Sequence, residues 1–473
     1  MIKLIQNHKY FDEIYTVAKL FFPDERVIKG LEICHEGYVI ENVLDATFSK
    51  TIVYNNGTVL ATYEMSIEVE AHPFLTLRRI IMLTVYHALQ IAVGTDTPWG
   101  ALTGIRPSKL VREWLDKGFS DEEIIKVLQN TFCCKEEKAK LALTIAYAEK
   151  RITQRIYSCY NVCKPIGIYI SIPFCPTRCI YCSFNAEHKP ANVDIHKKYI
   201  LALIDECIEK SKYAQEMGYV VNSIYIGGGT PTVLSLDLLK QTLETISMVF
   251  NKPMEYTVEA GRPDTITTEK LKLLKQYGVN RIAVNPQTLS NKTLALIGRK
   301  HTVDDFFNAF NMARDVGFDC INVDLIVGLP SETIDNISSS IENIIALSPE
   351  NITIHTLAIK RASLLNEFLQ KQKDSLPDAF TIESMLNIIA NQLSCEYAPY
   401  YLYRQKNMIG LFENIGYSKP YKECLYNVGM MAETQTILGI GAGAVSKFVE
   451  GTKITREFNV KNAGIYIERR NTK

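Results

Sequence analysis

Short apolar runs alternate with helical segments from Ile166 to about residue 358, and this alternation constrains the fold more than any other feature. The runs are GIYISI (167–172), SIYIGG (223–228), EYTVEA (255–260), RIAVNP (281–286), CINVDLIVGLP (320–330) and NITIHTLA (351–358). Each connection between them is long enough for a crossover between parallel strands. Six βα units in series therefore predict an α/β fold, an open and partial (β/α)6 barrel.

The rest of the chain is expected to form two α+β regions. The predicted domains are an N-terminal accessory domain at 1–155, the barrel at 156–360, and a C-terminal extension at 361–473 that covers the active site. Alternating residues on both sides of Asn56–Gly57 predict a hairpin in the first domain. Helices are predicted from about Thr76 to Ala92 and from Ser120, where Glu123 completes a capping box. In the last domain we expect two helices, a strand and a glycine-rich stretch.

Composition and charge exclude several classes of protein. The 473 residues carry 52 Lys and Arg against 52 Asp and Glu, so no overall basic field favours a nucleic-acid partner. The apolar run Ile80–Gly94 contains His87 and Gln90 and is shorter than the roughly 20 residues that span a bilayer, so it predicts a buried helix. The N-terminal segment contains the acidic residues Asp12 and Glu13 and has no long apolar core, so it does not resemble a signal peptide. Twelve cysteines are then expected in a reducing cytoplasm.

Three cysteines are spaced C-x3-C-x2-C directly after the first predicted barrel strand, at Cys175, Cys179 and Cys182. Three thiolates can bind three irons of a [4Fe–4S] cubane. The fourth iron stays open to a small molecule, and S-adenosylmethionine (SAM) can bind it through its amino and carboxylate groups. The alternatives are chance clustering or a zinc site, which usually has four ligands and for which His188 is the only nearby candidate for a fourth.

The segment YISIPFCPTRCIYCSF resembles the start of the radical SAM domain in the oxygen-independent coproporphyrinogen III oxidase family, which includes related heme chaperones. The resemblance continues from residue 165 to about 450 and implies a TIM-like radical SAM barrel. Agreement around Leu102–Pro107 and in the run YRQKN…ENIGYSKP…QTILGIGAGAVSK is similar to the HemZ-like branch. Two positions depart from relatives: Ser171 stands where many carry histidine, and Phe184 where the bacterial oxidase has a fourth cysteine.

The resemblance also implies which residues bind SAM. GGGTP, which includes Gly227, Gly228, Gly229 and Thr230, matches the motif for the SAM amino group. The other implied SAM contacts are polar residues: Glu259, Gln287, Arg299 for the methionine carboxylate, and Asp324 for the ribose hydroxyls. Tyr169 matches a tyrosine close to the cluster and is the implied catalytic residue. Gly439–Ala444 is similar to a dinucleotide-binding loop in glycine spacing alone, since no βαβ unit surrounds it.

The implied function is oxidative decarboxylation of coproporphyrinogen III to protoporphyrinogen IX in heme biosynthesis. A tetrapyrrole substrate and an electron donor such as flavodoxin or ferredoxin would be its partners. Because the substrate carries four carboxylates, basic residues are expected to line the mouth of the active site. The candidates are Arg262, Arg361, Arg404 and Lys406.

Two other functions remain open. The first is a heme-binding chaperone, which the Phe184 departure favours and for which His301 and His355 are possible axial ligands. The second is a different radical SAM reaction on a tetrapyrrole, such as methyl transfer. All three share one fold, and a fold does not decide chemistry.

Overall fold

The chain forms two compact units in a computed structural model: residues 1–146 with 404–412, and residues 147–403 with 413–473. The described residues are 1–23, 25–30, 36–67, 74–159, 164–183, 193–360, 363–371, 376–405, 408–451 and 453–472. The domain boundaries expected at residues 155 and 360 stay a prediction.

The first unit is an α+β domain with a five-stranded sheet in the order β2-β1-β3-β4-β5. Its strands are β1 (Ile2–Gln6), β2 (Val27–Lys29), β3 (Tyr38–Leu44), β4 (Phe48–Asn55) and β5 (Thr58–Ser66). Its helices are α1 (Phe11–Phe21), α2 (Leu77–Val93), α3 (Pro107–Asp116), α4 (Asp121–Asn130) and the start of α5 (Glu136–Ser158).

The local predictions for this unit are confirmed. β4 and β5 pair as an antiparallel hairpin, and Asn56 and Gly57 have φ of 50° and 79°, the positive values that a type I′ turn needs. The apolar run at residues 80–94 lies in α2 as a buried helix. Ser120 and Glu123 form the expected reciprocal capping box of α4.

The second unit contains the partial (β/α)6 barrel, and all six predicted strands are confirmed. They are β6 (Lys164–Ile172), β7 (Tyr219–Gly228), β8 (Glu255–Glu259), β9 (Arg281–Ala283), β10 (Cys320–Val327) and β11 (Asn351–Thr356). Each is parallel to its neighbours in sequence order. The connecting helices are α6 (Val193–Glu216), α7 (Leu236–Val249), α8 (Thr268–Gln276), α9 (Asn291–Leu296), α10 (Val303–Val316) and α11 (Ile334–Ala346).

Successive side chains of a barrel strand alternate between the apolar core and the barrel interior. Successive side chains of a strand point to opposite faces. In β10, Ile321, Val323 and Leu325 are fully buried apolar residues, whereas Asn322 and Asp324 line an internal cavity. The barrel interior is therefore polar where its strands end.

The C-terminal region contains more structure than predicted. Its elements are α12 (Leu365–Lys371), α13 (Ala379–Leu393), β12 (Ala398–Tyr403), β13 (Asn414–Ser418), α14 (Leu425–Met431), β14 (Ile437–Ile440), β15 (Val445–Glu450), β16 (Lys453–Phe458) and α15 (Ala463–Asn471). The expectation of two helices and one strand was wrong, because these short strands form by pairing with distant edges. β13 pairs antiparallel with β11, and β14 pairs parallel with β6, which makes an eleven-stranded sheet.

The glycine-rich stretch after β14 is a turn into the antiparallel strand β15. No helix follows it, so the rejection of a dinucleotide-binding loop is confirmed.

The start of α14 fills the barrel interior at the amino ends of β8 and β9. Glu255 accepts hydrogen bonds from the backbone N–H groups of Leu425 (2.7 Å) and Tyr426 (3.0 Å). The same carboxylate lies 3.4 Å from Nε of Arg281, and both side chains are nearly inaccessible to solvent.

Within the described ranges, no helix is both long enough and apolar enough to cross a membrane.

Candidate active site

A cavity of about 340 Å³ opens where the parallel strands of the barrel end. It is lined by all three cysteines of the C-x3-C-x2-C sequence and by seven of the nine other predicted site residues: Gly228, Gly229, Thr230, Glu259, Gln287, Arg299 and Asp324. Active sites of barrel enzymes are built at the same end of the strands. Residues far apart in sequence therefore meet where the resemblance implies a SAM site.

The cysteine loop follows β6 and is held by residues from other parts of the barrel. Thr177 Oγ1 donates to the Gly298 carbonyl (3.0 Å), and the Ile180 N–H donates to the Ile297 carbonyl (3.1 Å). Sγ of Cys175 lies 3.5 Å from Oγ1 of Thr230. Burial raises the pKa of Cys175 to about 11, and the neighbouring cysteines add to this rise. Metal binding would deprotonate such a thiol, since thiolates are the ligands.

Arg262 contacts the cysteine loop directly. Its Nη1 donates to Sγ of Cys179 (3.7 Å) and its Nη2 to Oγ1 of Thr177 (2.9 Å), while Nε pairs with Asp264 (3.1 Å). Arg262 lines the cavity but is only 3% exposed, and its guanidinium contacts these protein groups; a role in binding substrate carboxylates stays a prediction.

The other three basic candidates for the mouth of the active site are Arg404, Arg361 and Lys406. Arg404 belongs to the first unit, where its guanidinium donates to the carbonyls of Leu102 and Leu411; its assignment to the mouth stays a prediction. Arg361 and Lys406 lie outside the described residues, as do His188 and Phe184.

The glycine triplet packs the end of β7 against the cysteine loop. Gly229 N–H donates to the Ile172 carbonyl (2.8 Å), and Thr230 N–H donates to the Phe174 carbonyl (2.7 Å). A Cβ on Gly229 would lie 2.4 Å from the Phe174 carbonyl oxygen. A Cβ on Gly227 would lie 2.8 Å from Oε2 of Glu259. Gly227 itself does not line the cavity, and it allows the Glu259 side chain to pass.

Two acidic residues of the cavity have opposite pKa shifts. Burial raises the pKa of Glu259 to about 7, and its Oε1 accepts a hydrogen bond from the Tyr225 hydroxyl. Burial also opposes ionisation of Asp324, but His355 and Asn322 outweigh it and lower the pKa of Asp324 below its usual value. Environments that separate two carboxyl pKa values in this way are typical of active sites.

Arg299 and Gln287 each have one buried polar atom without a hydrogen-bond partner among the described residues. These atoms are Nε of Arg299 and Oε1 of Gln287. Nη1 of Arg299 donates to the carbonyls of Asn285 (2.5 Å) and Gly261 (3.3 Å). Gln287 has a positive φ of 69°, which is uncommon outside glycine. Buried polar groups normally have partners, so these two indicate a ligand.

The comparisons with known proteins agree with this geometry. The Radical SAM superfamily model matches residues 169–344. The oxygen-independent coproporphyrinogen-III oxidase-like protein HemZ of Bacillus subtilis is 38% identical over 405 residues, 85% of this chain and 80% of that protein. The chain belongs to this radical SAM family.

Two other known proteins are similar to the chain, one in sequence and one in fold. The heme chaperone HemW of Bacillus subtilis is 32% identical over 62% of this chain and 74% of its own length. The solved structure of the Escherichia coli coproporphyrinogen III oxidase (HemN) has a TM-score of 0.53 at 22% identity, covering 69% of this chain and 72% of that chain. This structural likeness confirms the fold. As a member of the radical SAM superfamily, the protein uses a [4Fe–4S] cluster and SAM.

The side chains in the cavity fit these cofactors. In the part of the chain that the structure describes, no three His, Cys, Asp or Glu side chains converge as ligands of a single metal ion would. A cubane does not require such convergence, because each thiolate binds a different iron. Arg262 and Arg299 beside Cys179 place positive charge next to thiolates, and the unpartnered atoms of Arg299 and Gln287 suit a ligand with amino and carboxylate groups.

Tyr169, the predicted catalytic residue, is not in this cavity. It lines a neighbouring cavity, and its ring packs in a cluster with those of Tyr225 and Tyr426 at centroid distances of 6.2 and 6.1 Å. Its assigned role stays a prediction, as do the roles of the other implied site residues.

Sequence reasoning missed the residues that hold Asp324. Asn285 Nδ2 donates to its Oδ2 (2.8 Å), Asn322 Nδ2 to its Oδ1 (2.7 Å), and His355 Nε2 lies 3.6 Å from Oδ2. The signal that could have found Asn322 and His355 is the polar residue at alternate positions of β10 and β11, since those positions share the inward face; Asn285 follows β9 and carries no such signal.

Proposed function

We propose that the protein catalyses the oxygen-independent oxidative decarboxylation of coproporphyrinogen III to protoporphyrinogen IX. The observation that carries the proposal is the single cavity shared by the three cysteines and the polar residues Glu259, Gln287, Arg299 and Asp324. The name of the HemZ relative, which covers 85% of this chain, supports the same reaction.

The cysteines and the polar residues would divide the work of cofactor binding. Cys175, Cys179 and Cys182 would hold three irons of the cluster. Arg299 would bind the methionine carboxylate, since a guanidinium donates two parallel hydrogen bonds to a carboxylate. Asp324, ionised because its pKa is lowered, would accept hydrogen bonds from the ribose hydroxyls.

When bound, the reduced cluster and SAM supply a carbon-centred radical that removes one hydrogen atom from the substrate. At each of two propionate side chains, the hydrogen atom leaves from the β-carbon. Carbon dioxide and one electron follow, and a vinyl group remains. The electron would pass to a one-electron acceptor, and a donor of the flavodoxin or ferredoxin class would supply the electron that the cluster needs. The chain's contribution is to orient the propionate and exclude water, for which the packed rings of Tyr169, Tyr225 and Tyr426 provide an aromatic cluster beside the cavities.

The deciding experiment is anaerobic incubation of reconstituted protein with coproporphyrinogen III, SAM and dithionite, followed by mass spectrometry. We expect the product to lack two carbon dioxide units and four hydrogen atoms relative to the substrate, and we expect no product from Cys175→Ala, Cys179→Ala or Cys182→Ala. Cys395→Ala is the matched control, because Cys395 is exposed and lies outside the cavity. Absence of protoporphyrinogen from a fully loaded protein overturns the proposal, and a product heavier by one methyl group points to methyl transfer instead.

A heme chaperone is the second candidate, favoured by the 32% identity to HemW. The two histidines offered as axial ligands differ in their surroundings. His301 is 3% exposed and is not among the residues that line the candidate cavity. His355 faces Asp324 and the hydroxyl of Tyr403. Stoichiometric heme binding without turnover in the same preparation would support the chaperone.

A further inference from the structure

A second cavity of about 290 Å³ adjoins the first at the end of the barrel. Gly228 and Gly229 line both cavities. The second cavity is also bounded by Tyr169 of β6 and by two lysines, Lys360 after β11 and Lys461 before α15. It therefore lies beside the candidate SAM site and brings together two cations that are distant in sequence.

The wall of this cavity is fixed by internal hydrogen bonds. Ser171 Oγ donates to the Ala442 carbonyl (2.8 Å), and the Ala442 N–H donates to the Tyr199 hydroxyl (2.8 Å). The Gly443 N–H donates to the Val460 carbonyl (2.8 Å), which holds the backbone beside Lys461. These groups are satisfied within the protein, so the ammonium groups are what a ligand would meet.

The two lysines have charge that the protein does not neutralise. In the described portion of the chain, neither ammonium group forms an ion pair or a hydrogen bond. Lys360 is partly buried, whereas Lys461 is exposed to solvent. Two like charges at one cavity repel each other, and an anionic ligand removes that repulsion.

We propose that Lys360 and Lys461 form a carboxylate-binding site for the propionate side chains of the substrate. This assignment rests on the proposed function and adds two basic residues to the candidates for contact with the substrate carboxylates. A tetracarboxylate suits two lysines better than SAM does, because SAM carries a net positive charge at neutral pH.

The test is binding of coproporphyrin III, the stable aromatic form with the same four carboxylates, to cluster-reconstituted protein. Fluorescence titration of wild type, Lys360→Gln, Lys461→Gln and the double variant gives the dissociation constants. We expect each single change to raise Kd about five- to tenfold, the effect of one charge-assisted contact, and added salt to weaken binding in wild type more than in the double variant. Lys360→Arg and Lys461→Arg should keep binding near the wild-type value.

Two controls make the result specific. Lys252→Gln should bind as wild type, because Lys252 is exposed and precedes β8 at the opposite end of the strands. Coproporphyrin tetramethyl ester should bind weakly and equally to all variants. Wild-type affinity for coproporphyrin III in the double variant overturns the inference, as does a loss of SAM binding in place of porphyrin binding.

Failure of the inference is distinguishable from failure of the proposed function. Product formation by wild type with an unchanged KM in the lysine variants overturns the site but leaves the reaction. Lysine-dependent porphyrin binding without any product supports the site and overturns the reaction.

Discussion

Arg262 is the residue that brings a positive charge and an N–H donor to the sulfur of Cys179. Hydrogen bonds to cluster sulfurs raise the reduction potential, because reduction makes the sulfurs more negative. We expect Arg262→Gln to lower the potential of the reconstituted cluster. A loss of about 1.4 kcal/mol corresponds to roughly 60 mV for one electron. Redox titration followed by electron paramagnetic resonance measures the change.

The control for Arg262 is Arg456→Gln, which breaks an ion pair with Glu433 in the antiparallel strands. It should leave the potential unchanged. Equal potentials in wild type and Arg262→Gln would show that the guanidinium only holds Thr177 and Asp264 in place.

Glu259 makes stability depend on pH around neutrality. Its pKa rises from an ordinary value of 4.5 to about 7 on folding, so its contribution is fully present below pH 4.5 and is lost as pH rises through 7. We expect Glu259→Gln to flatten the fall in melting temperature between pH 5 and pH 8. The effect should be on the order of 1 kcal/mol, since the cavity admits solvent. Differential scanning fluorimetry of the unreconstituted protein checks it, and parallel curves for the two proteins would contradict it.

At the scale of elements, the close contact between the end of β7 and the cysteine loop depends on Gly229, which has no side chain. Gly229→Ala would place a Cβ against the backbone of Phe174, next to Cys175. Backbone cannot yield as a flexible side chain can, so we expect a loss of about 1–3 kcal/mol and a reduced iron content after reconstitution. Gly104→Ala is the control, because a Cβ there meets no atom within 4 Å. Full iron and sulfide loading of Gly229→Ala would show that the loop tolerates displacement.

Pairing between elements also explains why strands of the C-terminal region, such as β14, were not predicted. β14 spans only Ile437–Ile440 and contains a glycine, so neither alternation nor composition predicts it. It is stable because it adds to the free edge of β6, with Gly439 opposite Tyr169. A Cβ on Gly439 would lie 2.6 Å from the backbone of Val445, so this glycine permits the close return of β15.

At the scale of the whole molecule, a buried carboxylate connects the barrel strands to helix α14 of the C-terminal region. Glu255 holds the start of α14 and pairs with Arg281. Glu255→Gln leaves Arg281 buried without its counterion, which costs about 3–5 kcal/mol. Urea unfolding should show a correspondingly lower midpoint. Glu136→Gln, which breaks an exposed pair with Lys140, should change stability by less than about 1 kcal/mol. Equal midpoints for the two variants would contradict a structural role for the buried pair.

Features that depend on local order could be predicted from the amino-acid sequence: six strands with their alternating faces, the Asn56–Gly57 hairpin, and the cysteine spacing that places three thiols on one loop. Which distant residues meet became visible in the folded chain. The fold places Arg262 on Cys179, β14 beside β6, and Lys360 with Lys461 around one cavity. The physical reason is that periodicity and spacing act over a few residues, whereas these contacts join segments whose proximity depends on the packing of the complete barrel.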